Sequence, residues 1–226
     1  LKAKSQHFGL DLQIKAVGQD FRYPLALSGE FQAINTVTAA AAAYASGMPL
    51  KDSFGTLPYL TPVRGRMQPI HGHPTGARVI IDFAHTPNAL EGALKALRSG
   101  TTGRLKLVFG CGGDRDKTKR SEMGKIAAKF ADRVFVTDDN PRSEDPATIR
   151  KAILKSCPVA SEIAPRDKAI QHAINGLNEG DTLLIAGKGH ETGQTIGIEI
   201  LPFDDASVAR HALLNLAGND SSVGGR

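Results

Sequence analysis

The chain has no tryptophan, only 5% aromatic residues and two cysteines among its 226 residues. Each shortage excludes something. No lysine- or arginine-rich block alternates with aromatics, and acids are interleaved with the bases, so the formal charge of +5 does not describe a nucleic-acid surface. A positive balance suits small anionic substrates such as nucleotides equally well. Cys111 and Cys157 lie far apart without metal-ligand spacing, which fits free thiols in a reducing compartment. His71 and His73 stand in a loop with no cysteine or acid cluster, so zinc is not expected there. No apolar run is long enough to cross a bilayer and no secretory h-region is visible. The expectation is a soluble, cytoplasmic protein with no membrane partner. No Gly-x-x-x-x-Gly-Lys-Ser/Thr phosphate loop occurs, because Gly187-Lys188-Gly189 lacks both the upstream glycine and the hydroxyl.

What is present centres on residues 105–146. The apolar run 105–109 predicts a buried strand, followed by a glycine-rich charged loop. A helix follows, with Met123, Ile126, Ala127 and Phe130 at spacings of three and four. Residues 134–137 predict a second strand that ends in Asp138-Asp139-Asn140-Pro141-Arg142. This is a β-α-β unit, so the two strands should be parallel with a right-handed crossover. In open parallel sheets, ligands sit beyond the carboxyl ends of the strands, where both charged loops fall. A dinucleotide loop is disfavoured because Arg115 stands where its third glycine belongs.

Along the chain, Leu10, Leu12, Ile14 and Ala16 alternate with polar residues. Phe21, Tyr23, Leu25 and Leu27 do so again, predicting an antiparallel pair with one wet face. An alanine-rich helix over 31–46 and a shorter one over 51–57 follow. Residues 58–69 carry three prolines and Gly65, which reads as an extended connector and a domain boundary. Strand and helix then alternate: a strand at 78–82, a helix from Thr86-Pro87 to about Arg98, the central unit, and a helix starting at Asp145-Pro146. A weak strand at 158–163, a helix at 167–178 and a strong strand at 181–186 come next. An edge strand at 195–200, a closing helix at 204–216 and a disordered tail from Gly218 complete the expectation. Residues from about 70 onward make a complete doubly wound α/β domain. Residues 1–68, one hairpin with one or two helices, look like the end of a domain that begins upstream.

Taken alone, most candidate polar residues have an ordinary explanation. Asp82 and His85 could be a cap and a surface histidine, Arg66 an interface ion pair, Glu191 a solvated side chain and His190 structural. Lys188 could contact phosphate or cap a helix. Several such loops at neighbouring strand ends are less ordinary than one.

Six blocks carry a resemblance: GEFQAIN at 29–35, PVRGRM at 62–67, DFAHTPNAL at 82–90, FGCGGDRDKTKR at 109–120, TDDNPRSEDP at 137–146 and AGKGHE at 186–191. In order and spacing they resemble the Mur ligases, ATP-dependent amide ligases that build the peptidoglycan stem peptide. The resemblance implies a Rossmann-like, mostly parallel C-terminal domain over 69–226, preceded by the end of a truncated central ATP-binding domain over 1–68. It implies ATP contacts by Asn35, Arg66, Asp82 and His85. Gln32 stands where the family usually has asparagine, which leaves position 32 unassigned. It also implies that Arg115, Asp139, Asn140, Pro141, Arg142, Gly187 and Glu191 bind the incoming amino acid. The Asp-Asn-Pro-Arg version goes with meso-2,6-diaminopimelate rather than lysine. The implied partners are ATP with Mg2+, diaminopimelate and the UDP-N-acetylmuramoyl dipeptide, acting on a monomer that binds no nucleic acid. The phosphate loop, the magnesium ligands and the family's carbamylated lysine would lie before residue 1. No catalytic or metal residue is therefore expected in this stretch, and by itself it should be inactive. Readings of another class are a stand-alone α/β binding module and a nicotinamide oxidoreductase. An upstream phosphate loop would remove the first, and a cofactor titration would settle the second.

Overall fold

A computed structural model describes residues 1–6 and 9–221. Two compact units result, Leu1–Val63 with Ala96–Gly100, and Arg64–Lys95 with Thr101–Arg226.

In the first unit, β1 (Lys2–Gln6), β2 (Gly9–Ala16) and β3 (Gln19–Leu25) form an antiparallel meander. The pleat sends Leu10, Leu12 and Ile14 inward, where they meet Phe21 and Leu25. Helix α1 (Glu30–Ala45), helix α2 (Leu50–Gly55) and a 3-10 turn (Leu57–Tyr59) follow. Phe54 and Leu57 join the same core, and the Phe21 and Phe54 rings stack at 5.2 Å. Strand β1 is an addition to the two strands expected from sequence. Its side chains are largely exposed, so it carries no apolar alternation to read.

The second unit begins with β4 (Gln68–Ile70), β5 (Arg78–Asp82) and, as far as Lys95, α3 (Pro87–Arg98). Then come β6 (Leu105–Phe109), α4 (Thr118–Phe130) and β7 (Arg133–Val136). Next are α5 (Pro146–Leu154), β8 (Ser161–Glu162), α6 (Arg166–Asn175) and β9 (Thr182–Ala186). Strands β10 (Gly193–Ile196) and β11 (Glu199–Pro202) precede α7 (Asp205–Ser221). The main sheet has the order β4-β5-β9-β6-β7-β8, parallel except for β4. Val79, Ile81, Val108, Leu183 and Ile185 face α6 and α7 through Ile170, Ile174, Ala209 and Leu213. By the pleat, the buried Ile80, Leu107, Phe109 and Leu184 point to the opposite face.

Three expectations need correction. Residues 195–200 are not one edge strand of the main sheet. The chain turns at Gly197 and Ile198, so β10 and β11 form a separate two-stranded hairpin. The proline-rich connector is not wholly extended, since it holds the 3-10 turn and ends in β4, paired antiparallel to β5. Helix α7 runs through Ser221, so residues 218–221 are helical; 222–226 lie outside the described residues.

The register matters most for function. Asp82 pairs with Ala186, Ala186 with Phe109, and Phe109 with Val136. Four adjacent parallel strands thus end on one level, and the four segments that follow them emerge side by side. The gap between consecutive β5 and β6 is filled by β9, which places the change of chain direction at this edge.

Candidate functional site

Those four strand ends enclose a cavity of about 460 Å³, lined in part by His85, Cys111, Arg115, Asp139, Arg142 and Glu191. That volume is in the range of small-molecule sites. The lining mixes signs: Arg115, Lys119 and Arg142 are opposed by Asp116, Asp139 and Glu191. A polyanion would find half of this lining repulsive, whereas a compact zwitterion with several ammonium and carboxylate groups would find partners for each.

Two glycines let the loops close on one another. A Cβ on Gly113 would lie 1.9 Å from the Pro141 carbonyl oxygen, so the glycine-rich loop and the 137–146 loop meet backbone to backbone. Gly187 has φ 116°, and a Cβ there would sit 2.7 Å from Asp139 Oδ2. Hydrogen bonds complete the clasp. Gly113 N donates to Asn140 O at 2.9 Å, Asp114 N to Glu144 Oε1 at 2.7 Å, and Ser143 Oγ to Asp114 Oδ1 at 2.7 Å. Beneath them, buried Arg120 grips Glu144 with both terminal nitrogens, at 3.0 and 2.8 Å. The Arg120 hydrogen bonds, with help from the Asp114 N–H, hold the Glu144 carboxyl down at about 2. Ser143 similarly lowers the Asp114 carboxyl, and Thr118 lowers that of Asp116. Burial pushes the Cys111 thiol up to about 12, so this cavity-lining sulfur is an inert apolar group.

Arg142 is held in an unusual backbone conformation, φ 53°, which a side-chain-bearing residue adopts only when its surroundings enforce it. The hairpin does so: Arg142 N donates to Thr195 O at 3.1 Å, and Arg142 O accepts from Gly197 N at 2.7 Å. Its Nη1 donates to Gly113 O at 2.8 Å. Its Nε and Nη2 donors make no bond within the described residues, leaving part of the guanidinium fork for a ligand. Asn140 Oδ1 accepts from Thr195 N at 3.0 Å, and Gln194 Nε2 donates to Asp139 O at 2.6 Å, so β10 braces the whole Asp-Asn-Pro-Arg loop.

Of the residues tied by resemblance to the amino acid, Arg115, Asp139, Asn140, Arg142, Gly187 and Glu191 line this one cavity. Pro141 does not. It is buried and lines a second cavity of about 790 Å³ beside Phe203 and Val208. Of the residues tied to ATP, His85 lines the first cavity, with Nδ1 donating to Phe83 O at 2.8 Å. Arg66 lies 4.4 Å over the Phe83 ring. Asp82 is not in the lining: Oδ2 accepts from Met67 N at 2.7 Å and Oδ1 from Ala84 N at 2.8 Å. Burial nevertheless raises its carboxyl above the ordinary range. Asn35 belongs to the first unit and is exposed on α1, where its Nδ2 donates to Gln32 Oε1 at 3.3 Å.

Sequence reasoning missed other members. Phe83 and Lys119 line the cavity, and Lys119 Nζ donates to His85 O at 3.1 Å. Lys188 neither reaches solvent nor caps a helix: it is fully buried against Asn140 and Glu191. His190, read as lacking a partner, packs its ring 5.0 Å from Phe83. Among the described residues, no group of three His, Cys, Asp or Glu side chains could hold a metal ion. Among the described residues, no helix is long and apolar enough to cross a membrane.

A doubly wound sheet with a mixed-sign cavity at its strand ends defines an α/β domain of the small-molecule-binding class, and comparison makes the class specific. Residues 65–189 match the family "Mur ligase, glutamate ligase domain", and the chain belongs to that family. It is 50% identical over 217 residues to the UDP-N-acetylmuramoyl-L-alanyl-D-glutamate--2,6-diaminopimelate ligase of Zymomonas mobilis, covering 94% of this chain and 44% of that protein. It is 49% identical to the Mesorhizobium japonicum ligase of the same name, covering 89% of this chain and 42% of that one. A solved structure of a ligase so named superposes with a TM-score of 0.72 at 34% identity, covering 96% of this chain and 45% of the other. The chain therefore spans less than half the length of the relatives it matches.

Proposed function

We propose that this chain is the amino-acid-selecting part of an ATP-dependent ligase. The ligase joins meso-2,6-diaminopimelate to UDP-N-acetylmuramoyl-L-alanyl-D-glutamate in peptidoglycan synthesis. Residues 69–226 are the amino-acid-binding domain, and residues 1–68 the C-terminal part of a central ATP-binding domain. The observation that carries this reading is the convergence of Arg115, Asp139, Asn140, Arg142, Gly187 and Glu191 on one mixed-sign cavity. Diaminopimelate has two ammonium and two carboxylate groups, so it needs just such alternation. Guanidinium forks from Arg115 and Arg142 bind carboxylates, while Asp139 and Glu191 receive ammonium groups. Lysine lacks the distal carboxylate and would leave a half-buried guanidinium unmatched, which disfavours it.

In the reaction, ATP activates the D-glutamyl carboxylate and an amine of diaminopimelate displaces phosphate to form the amide. The residues of this chain bind the amino acid, fix its far end and hold its amine toward the activated carboxyl. His85, beside the same cavity, and Arg66, stacked on Phe83, are assigned to the nucleotide side, with Asn35 and Asp82 completing the proposed ATP contacts. Magnesium ligands are assigned to the remainder of the ligase, as the family resemblance implies.

The test is Arg142→Ala in the full-length ligase. Truncating one member of a buried charge pair costs about 2–5 kcal/mol, roughly 30- to several-thousand-fold in kcat/KM for diaminopimelate. The KM for ATP should change little, and Arg142→Lys should rescue poorly because a point charge cannot reproduce the fork. Near-native use of diaminopimelate by Arg142→Ala, with lysine still excluded, would place the clamp elsewhere.

A further inference from the structure

Lys188 is the one lysine on the four strand-end segments with no access to solvent, its side chain being 0% exposed. An ammonium buried at that depth is retained only where anionic or carbonyl oxygens meet it. Its Nζ donates to Asn140 Oδ1 at 2.8 Å and lies 3.1 Å from Glu191 Oε2. It does not line the cavity, and it lies outside every helix.

The consequence lies in the Asn140 amide. Oδ1 accepts from both Lys188 Nζ and Thr195 N, the latter at 3.0 Å. A flipped amide would point its NH2 at two donors, so only one orientation is allowed. In that orientation Nδ2 donates to Glu191 Oε2 at 2.8 Å. Glu191 Oε2 thereby holds two donors. Its Oε1 makes no hydrogen bond within the described residues, although Glu191 lines the cavity. One carboxylate oxygen is anchored from behind and the other is presented.

We infer that Lys188 is a positioning residue for the amino-acid substrate: it locks the Asn140 amide so that Glu191 offers Oε1 to a ligand ammonium. The inference rests on the amino-acid-site reading above. A lysine that merely neutralised a buried carboxylate would affect folding without favouring one substrate, whereas a lock on Glu191 acts on the amino acid alone.

The test uses Lys188→Met in the full-length ligase, a change close in volume that removes only the ammonium. KM for diaminopimelate should rise roughly 10- to 100-fold, by analogy with the loss on removing a partner that orients a metal ligand. KM for ATP and for the UDP-sugar dipeptide should stay within about 2-fold, since neither is assigned to Glu191. Lys188→Gln, which keeps a donor for Asn140 without the charge, should fall between wild type and Lys188→Met. It carries the same test should the methionine variant not fold. Because Lys188 and Asn140 hold the same Glu191 oxygen and each other, Lys188→Met combined with Asn140→Ala should cost clearly less than the product of the two single effects. A folded variant with unchanged KM for diaminopimelate overturns the inference. So does an equal rise for all three substrates, or a double variant whose defects multiply. A wild-type enzyme that neither binds nor uses diaminopimelate overturns the functional reading itself, and this inference with it.

Discussion

Replacing Gly113 with alanine attacks the clasp that forms the cavity. The new methyl would stand 1.9 Å from Pro141 O. Carbon–oxygen contacts relax at about 3.3 Å, so the two loops must part by roughly 1.4 Å. Two hydrogen bonds span that seam, Gly113 N to Asn140 O at 2.9 Å and Arg142 Nη1 to Gly113 O at 2.8 Å. Each would be stretched beyond bonding distance. A neutral bond contributes about 1 kcal/mol and one from a charged group about 1.5–3, so the change should cost about 2.5–4 kcal/mol. For a domain of this size that lowers Tm by about 5–15 °C. A displacement of this order at a binding group also removes roughly 100-fold in kcat/KM for the amino acid. Thermal melting and steady-state kinetics on one preparation read both effects. Gly92, inside α3, serves as the control: a Cβ there meets nothing within 4 Å, so Gly92→Ala should hold or raise Tm. If Gly113→Ala melts within about 2 °C of wild type and keeps its kcat/KM, the loops do not approach one another as described.

Glu144 gives a pH test. Its carboxyl is depressed to about 2 in the folded protein against an ordinary 4.5, so the Arg120–Glu144 contact stabilises fully above about 4.5 and fades as pH falls toward 2. The gap in denaturation midpoint between wild type and Glu144→Gln should stay constant from pH 7 to about 4.5 and then narrow. A gap that persists unchanged to pH 2.5 would contradict the pairing. Arg166 and Asp205 form a second ion pair, with both side chains 0% exposed and Nε–Oδ1 at 2.7 Å. Asp205→Ala leaves a buried guanidinium uncompensated, a loss of about 3–5 kcal/mol by urea denaturation. A loss under 1 kcal/mol would show that the pair is hydrated or replaceable.

The parallel strands β5, β6, β7 and β9 were readable because they are buried on both faces and their sequences are short continuous apolar runs between polar loops. The site loops were readable for a related reason: glycines and paired charges fell at the ends of those runs, and parallel topology brings such ends together. The strand order was not readable. Insertion of β9 between β5 and β6 depends on packing between distant segments, which no local pattern records. The β10–β11 hairpin was read as one strand because alternation in Thr195, Ile196, Gly197, Ile198 and Glu199 runs through the turn. Positive φ at Gly197 (60°) reverses the chain there. Lys188 was the clearest loss. Its place in Ala-Gly-Lys-Gly-His-Glu left a phosphate contact and a helix cap both open, and only tertiary structure reveals that Asn140, 48 positions away, receives its ammonium. Pro141 was carried into the site by its place in a motif, and the structure places it in the lining of the neighbouring cavity.

The central claim is that this cavity selects an amino acid with a carboxylate at each end. Its most direct test is kcat/KM for meso-diaminopimelate and L-lysine, measured side by side in the full-length ligase with ATP and the UDP-sugar dipeptide saturating. Matching the distal carboxylate to the half-buried Arg142 guanidinium, a charge pair that the bound amino acid would cover, should favour diaminopimelate by at least roughly 30-fold. Equal use of the two amino acids, or a preference for lysine, would contradict the assignment of Arg115 and Arg142 as carboxylate clamps, and with it the selecting role given to this chain.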